Sequence, residues 1–344
     1  MDHRKGHQQM IVLAIALLAL LGVATVALDW GQVRQVLGQA EWRLVPVALL
    51  LTAVSYGCLG YGFAATSRLF GVRISQRDLV EIGFVSFALN HLIALGGVAG
   101  YSLRVLLIKR RRQSVRDVLV ASVFHSTFNN VMLLALFPIG FIYLLLSYPL
   151  TRGESISVGI GAALLFVLFV LATAVIFFKP LRVVVLHRLG QVVHGISRRN
   201  IGAQIKELNS TLERGTNALK ERRLVLVLLT GLVVADWASC VVALGFCFDA
   251  VGDPVSPGAL LIGFAIGVTV GLLSMIPGGL GAQEASMTAI YTLLGVPFEQ
   301  TVLAAVLFRT IYYLVPFLAS LLFYFRLMRV DGKLTLESTR GQSG

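Results

Sequence analysis

The sequence predicts an all-α polytopic membrane protein with about six transmembrane helices and two re-entrant helical hairpins in an inverted repeat. Three observations carry that expectation. The 344 residues are 57% hydrophobic and 13% charged, with a mean hydropathy of +0.83, a composition of membrane domains rather than soluble ones. Two apolar stretches, Leu79–Ile108 and Gly258–Gly295, are broken in the middle by glycine or by proline and glycine. The lysines and arginines fall in alternate connecting segments, as the positive-inside rule requires of a chain that crosses repeatedly.

In chain order, Met10–Leu28 is an apolar run long enough to span and longer than a signal-peptide core. Asp29–Arg43 reads as a short outer loop. Leu44–Thr66 returns, and Ser67–Asp78 carries Arg68, Arg73 and Arg77. In Leu79–Ile108, Gly96-Gly97 and Gly100 interrupt the apolar run before the basic cluster Lys109–Arg112. The arm from Tyr101 to Ile108 gives roughly 15 Å of helix, too short for a hydrocarbon core of roughly 30 Å. A hairpin that enters and leaves on one face fits better than two spans. Asp117–Ser147 is a long span with a kink expected at Pro138, and Ile156–Phe178 crosses back.

Lys179–Arg223 is the one sizeable polar segment. Leu189, Val192, Val193, Ile196, Ile201, Ile205, Leu208, Leu212 and Leu219 recur mostly at three- and four-residue steps. That period predicts an amphipathic helical pair lying on the cytoplasmic membrane surface. Leu224–Phe248 spans, Asp249–Pro257 is a loop, and Gly258–Gly295 is the second hairpin. Within it Pro277, Gly278, Gly279 and Gly281 forbid a continuous helix, and Glu284 follows directly. Phe298–Leu327 is the last span and 328–344 a cytoplasmic tail. Span, hairpin and long span thus occur twice in opposite orientation, each preceded by one further span, giving halves 10–147 and 156–327 of a single membrane domain.

Of the 29 lysines and arginines, all but Arg34, Arg43, Arg152 and Arg309 lie in segments this layout places in the cytoplasm. The formal charge of +12 is therefore explained by topology in a plasma (inner) membrane with both termini cytoplasmic, and nucleic-acid binding is not expected. Cys58, Cys240 and Cys247 sit inside apolar segments without metal-ligand spacing, so neither a disulfide framework nor a metal site is expected. P-loop, HExxH and GxSxG signatures are lacking, so catalysis and bound cofactors are not expected.

The stretch Met275–Leu318 resembles the C-terminal signature of the lysylphosphatidylglycerol synthase transmembrane-region family, described as flippase-like integral membrane proteins. The match runs through Pro277, Gly278, Gly279, Gly281, Glu284, Gly295 and Arg309. The N-terminal signature resembles Asn90, Gly96, Gly97 and Arg104, although Ala94-Leu95 stands where that family commonly has a proline. The resemblance implies handling of lipid headgroups. In the family's bifunctional synthases such a region precedes an aminoacyl-transferase domain. The sequence to Gly344 carries no such domain, so lysyl transfer is not expected of it.

Charged and polar side chains inside the apolar runs point the same way, because isolated charges in lipid must pair or line a cavity. Arg309 is expected to pair with Glu284 or Asp236 and to meet a lipid phosphate, which its planar fork suits. Hairpin ends at Gly97 and Gly279 are expected to offer free amides to the same phosphate. Asp236, His91 and His125 are candidates for proton coupling. Each has a plainer reading: a structural ion pair for Glu284 and Arg309, hydrogen-bonded core histidines, a packing role for Asp236. The expected function is translocation of a lipid with an anionic headgroup, a phospholipid or a polyprenyl phosphate. Alternatives are an accessory subunit presenting lipid to a separate glycosyl- or aminoacyl-transferase, and a membrane enzyme using Glu284 as acid/base.

Overall fold

The computed structural model describes residues 29–93, 98–111, 113–147, 152–197, 202–274 and 276–340. The expected first span Met10–Leu28 lies outside them, as do Gly96 and Gly97. Among the described residues the regular structure is helical throughout. Five helical stretches are long and apolar enough to cross a membrane: Trp42–Leu69, Val115–Tyr143, Gly159–Phe177, Arg223–Ala250 and Phe298–Arg329. These coincide with the five spans expected after Met10–Leu28.

The loop expected over 29–43 contains a short helix, α1 (Trp30–Gln39), because Asp29 caps it by accepting from the amides of Gly31 (2.8 Å) and Gln32 (3.3 Å). Helix α2 (Val45–Leu69) starts with a proline in its first turn and packs along α10 (Arg223–Ala250) at the centre of the molecule. The first broken stretch forms α3 (Gln76–Ile93) and α4 (Val98–Arg110); the second forms α11 (Pro257–Leu273), a tight turn at Pro277–Gly279, and α12 (Ala282–Leu293). Gly263, Gly267 and Gly271 recur every fourth residue on α11 and receive Tyr291, Met287 and Gln283 of α12. A Cβ at Gly263 would lie 2.3 Å from the Tyr291 ring, so this close approach depends on glycine.

The long spans are α5 (Val115–Leu133) with α6 (Leu136–Ser147), and α13 (Phe298–Arg309) with α14 (Val315–Arg340). The kink expected at Pro138 falls one turn earlier, at Leu134-Ala135, because proline withholds its bond from the carbonyl four residues back and crowds it. In the second half the same physics produces a π-helical turn, Thr310–Leu314, just before Pro316. The packing is reciprocal. Helix α3 of the first hairpin lies against α14, and α11 of the second lies against α6. The tips also touch: a Cβ at Gly278 would come 2.7 Å from the carbonyl oxygen of Leu92. At the far end of α3, Arg326 pairs with Glu81, which also accepts from Arg77 Nε at 3.0 Å.

The polar segment forms α8 (Lys179–Ser197) and α9 (Gly202–Glu221), joined to α7 (Arg152–Phe177). The apolar edge of α9 does not lie on a surface as expected. Leu212 and Leu219 are buried with Phe124 and Phe128 of α5 and with Leu229 and Val233 of α10. Gly215, flanked by the buried Thr211 and Thr216, makes a flat seat for the Phe124 ring. Amphipathic periodicity shows that α9 has an apolar face; it does not say whether lipid or protein covers it. Lys179 Nζ donates to Glu213 at 2.5 Å and the buried Arg182 donates through Nε to Asn209 at 2.8 Å, clasping α8 to α9.

Candidate functional site

A cavity of about 260 Å³ lies where the second hairpin tip, the end of α3, and helices α5 and α10 converge. Gly278, Gly279 and Gln283 form one wall, Asn90 and His91 a second, Ser126, Asn129 and Asn130 a third, and Asp236 and Trp237 a fourth; Tyr312 and Tyr313 close it. Leu272, 55% exposed, stands at its rim, so the cavity borders the outer face of the helical bundle. A polar chamber opening beside exposed apolar side chains suits a ligand with one polar and one apolar end.

The hairpin tip owes its shape to Gly278, Gly279 and Gly281, all at positive φ (62°, 64° and 82°), where a side chain is strained. Its amides are used locally. Gly279 donates to the Ile276 carbonyl at 2.8 Å, which corrects the expectation of a free amide there; Gly97 lies outside the described residues. Gly281 N donates to Glu284 Oε2 at 2.7 Å, capping α12. The turn thus positions the carboxylate and engages the amides of Gly279 and Gly281.

Glu284 Oε1 accepts from Arg309 Nε, and both side chains are largely buried, at 15% and 12% exposure. Of the two expected partners, Arg309 takes Glu284. Its guanidinium lies 4.1 Å over the Tyr313 ring, and Tyr313 donates to Gln283 Oε1 at 2.9 Å. The two terminal amino groups of Arg309 are buried without a hydrogen-bond partner among the described residues. Arg309 and Glu284 therefore sit one layer behind Tyr313 and Gln283, which line the cavity.

Asp236 is 2% exposed and accepts from Ser55 Oγ at 2.5 Å. Ser55 also meets the Tyr312 hydroxyl at 2.8 Å. His91 Nδ1 lies 2.9 Å from the Tyr56 hydroxyl, which donates to the Tyr312 carbonyl at 3.0 Å. With that proton committed, His91 Nδ1 must be the donor to Tyr56. His91 and Asp236 thus share the cavity and are linked through Tyr56, Tyr312 and Ser55. His125 is elsewhere: its ring fills the notch at Gly62 and its Nδ1 is 3.5 Å from Thr66 Oγ1.

Asn90 lines the cavity and accepts from Gly100 N at 2.7 Å, holding the arms of the first hairpin together. Arg104 is not in the lining. It is fully buried behind Phe87 and donates through Nε to Ser86 at 2.7 Å. Sequence reasoning missed Gln283, Tyr312, Tyr313 and Trp237. The tyrosines carried a signal, since they follow Arg309 by three and four residues and so share its helix face. Among the described residues no cluster of three or more His, Cys, Asp or Glu side chains could hold a metal ion, and the three cysteines are free thiols.

Helices of this length and apolarity, packed reciprocally around an internal polar cavity, define a polytopic α-helical membrane protein. The chain belongs to the family described as the lysylphosphatidylglycerol synthase TM region, whose model matches residues 10–320. It is 23% identical over 318 residues to a UPF0104 membrane protein of Methanothermobacter thermautotrophicus, covering 89% of this chain and 91% of that one. It is 35% identical over 103 residues to a phosphatidylglycerol lysyltransferase of Staphylococcus aureus, a match covering 30% of this chain and 12% of the transferase. So short a share of that enzyme carries none of its activity across.

Proposed function

We propose that this protein moves a lipid with an anionic headgroup between leaflets, the headgroup passing through the cavity while the acyl chains stay in the bilayer. One observation carries the reading: Arg309 is anchored by Nε on Glu284 and by its face on Tyr313, yet both terminal amino groups are buried and unpaired among the described residues. Burying unmet donors costs free energy, and two coplanar amino groups match two oxygens of a phosphate. A phosphate can take them without breaking the Glu284 pair. Tyr313 and Gln283 stand between Arg309 and the cavity, so a turn of the Tyr313 ring admits the headgroup. Broken helices of two opposed re-entrant hairpins around a midplane site fit the architecture of many transporters. The family description and the matched lysyltransferase both name phosphatidylglycerol chemistry, which favours a phospholipid substrate.

The test is headgroup exposure in proteoliposomes. Purified protein is reconstituted with trace fluorescent phosphatidylglycerol or labelled polyprenyl phosphate, and an impermeant quencher is added outside. Quenching beyond one leaflet in wild type, lost in Arg309→Ala at equal reconstitution, is the expected outcome. Quenching confined to one leaflet for both lipids under every ion gradient would sink translocation and favour an accessory subunit that presents lipid to a transferase.

A further inference from the structure

We propose a second oxyanion site, separate from the Arg309 pair, built around Arg104 between the first hairpin and helices α2 and α5. It takes a phosphate group, as a free anion or as a lipid headgroup, and it stands whether or not the protein moves lipid.

Arg104 is 0% exposed and lies within an apolar bundle. Among the described residues no carboxylate pairs with it, in contrast to Arg309, Arg326 and Arg77, each of which meets a glutamate. A buried cation without a counter-charge is strongly disfavoured. Aromatic rings pack against it: the guanidinium carbon lies 4.3 Å from the Phe63 centroid and 4.4 Å from that of Phe87. Rings this close attract the cation. They do not accept the N–H bonds that lie in the guanidinium plane. Ser86 Oγ takes Nε at 2.7 Å, and among the described residues both terminal amino groups have no hydrogen-bond partner. What is left is a fixed, planar, two-pronged donor edge, the arrangement that binds two oxygens of a phosphate.

Polar groups of α5 stand beyond Phe87. The His125 ring is 5.5 Å from Phe87 and 2% exposed; Thr66 Oγ1 gives its proton to the Gly62 carbonyl at 2.8 Å, so His125 Nδ1 is the donor to Thr66, and Nε2, without a partner among the described residues, carries the lone pair. Ser122, one turn before His125 on α5, is 0% exposed, and its hydroxyl is unpaired among the described residues. Phe87 and Tyr101, which border Arg104, also line the 260 Å³ cavity. Tyr101 lies 5.6 Å from the guanidinium, so the Phe87 and Tyr101 rings stand between Arg104 and the main cavity. A ligand held at Arg104 is thus one side-chain movement from the main cavity.

The full chain in uncharged maltoside micelles is titrated with inorganic phosphate, and separately with short-chain phosphatidylglycerol, at constant ionic strength while the thermal midpoint is followed. Arg309→Met, which disables the headgroup site of the proposed function, should keep a saturable rise in midpoint. Added to Arg309→Met, the change Arg104→Met should abolish that rise, and Arg104→Lys should weaken it about tenfold because the planar fork is gone. Without ligand, Arg104→Met should be at least as stable as wild type, since an unpaired buried charge has been replaced by an apolar chain of similar length. A rise with phosphate alone assigns a free anion, and a rise with lipid alone assigns a headgroup. No saturable rise in Arg309→Met with either probe, or an unchanged rise when Arg104→Met is added to Arg309→Met, overturns the proposal. The first of these decides the matter even if Arg104→Met does not fold.

Discussion

Tyr56 donates its hydroxyl proton to the main-chain carbonyl of Tyr312 at 3.0 Å. Four residues beyond Tyr312 stands Pro316, which has no amide to offer that carbonyl. A side chain from α2 thus meets the acceptor that a proline on the last long span leaves open, and the same hydroxyl accepts from His91. The π-helical turn is tied at this point to the central helix and to the cavity wall.

Tyr56→Phe should therefore destabilise the protein by about 1–3 kcal/mol, the cost of an acceptor buried without its partner. Pro316→Ala restores an amide four residues beyond Tyr312. The double variant should consequently be less destabilised than the two single changes added together, with a coupling of about 0.5 kcal/mol or more. Reversible unfolding in mixed micelles measures all four proteins. Strict additivity would show that Pro316 does not set the role of Tyr56.

Glu284 and Arg309 give a second coupled pair. Removing one member of a buried pair leaves an uncompensated charge and costs about 3–5 kcal/mol. Glu284→Ala also removes the cap on Gly281, adding about 1 kcal/mol. The double change Glu284→Ala/Arg309→Met should recover most of the stability while abolishing lipid movement. Unfolding midpoints and the quenching assay, run on the same preparations, separate the two effects. If lipid movement survived in a stable double variant, the pair would be structural and nothing more.

Much of this was legible in the residues. Long apolar runs such as Leu224–Phe248 admit one solution in a bilayer, and Pro277-Gly278-Gly279 cannot continue a helix. A carboxylate and a guanidinium 25 residues apart in strongly apolar runs (Glu284 and Arg309) had to find partners. The rest depended on relations that a linear pattern does not carry. Asp236 was as good a partner for Arg309 on paper; only packing gave it Ser55 instead. Arg104 carried the resemblance to a site motif, yet Phe87 lies between it and the cavity. The free-amide expectation failed at Gly279 because the tight turn brings the Ile276 carbonyl to that amide.

The seat of α9 provides a clear steric contrast with an open position. A Cβ on Gly215 would lie 2.3 Å from the Phe124 ring, and that ring has little room to retreat. It is 1% exposed, with Phe70 edge-on at 5.6 Å and Phe128 stacked at 6.4 Å. Gly161, in the apolar span of α7, has open space where a Cβ would go. Gly215→Ala should therefore cost about 1–3 kcal/mol by overpacking, whereas Gly161→Ala should be neutral or stabilise by up to about 1 kcal/mol through helix propensity. Phe124 and Phe128 share α5 with Ser126 and Asn129 of the cavity wall. Displacing α9 should hence slow lipid movement in Gly215→Ala and leave Gly161→Ala at the wild-type rate. Thermal midpoints and quenching rates for the two variants check both parts. Equal responses would mean that α9 yields freely to the added methyl and that its seat neither stabilises the bundle nor supports the cavity.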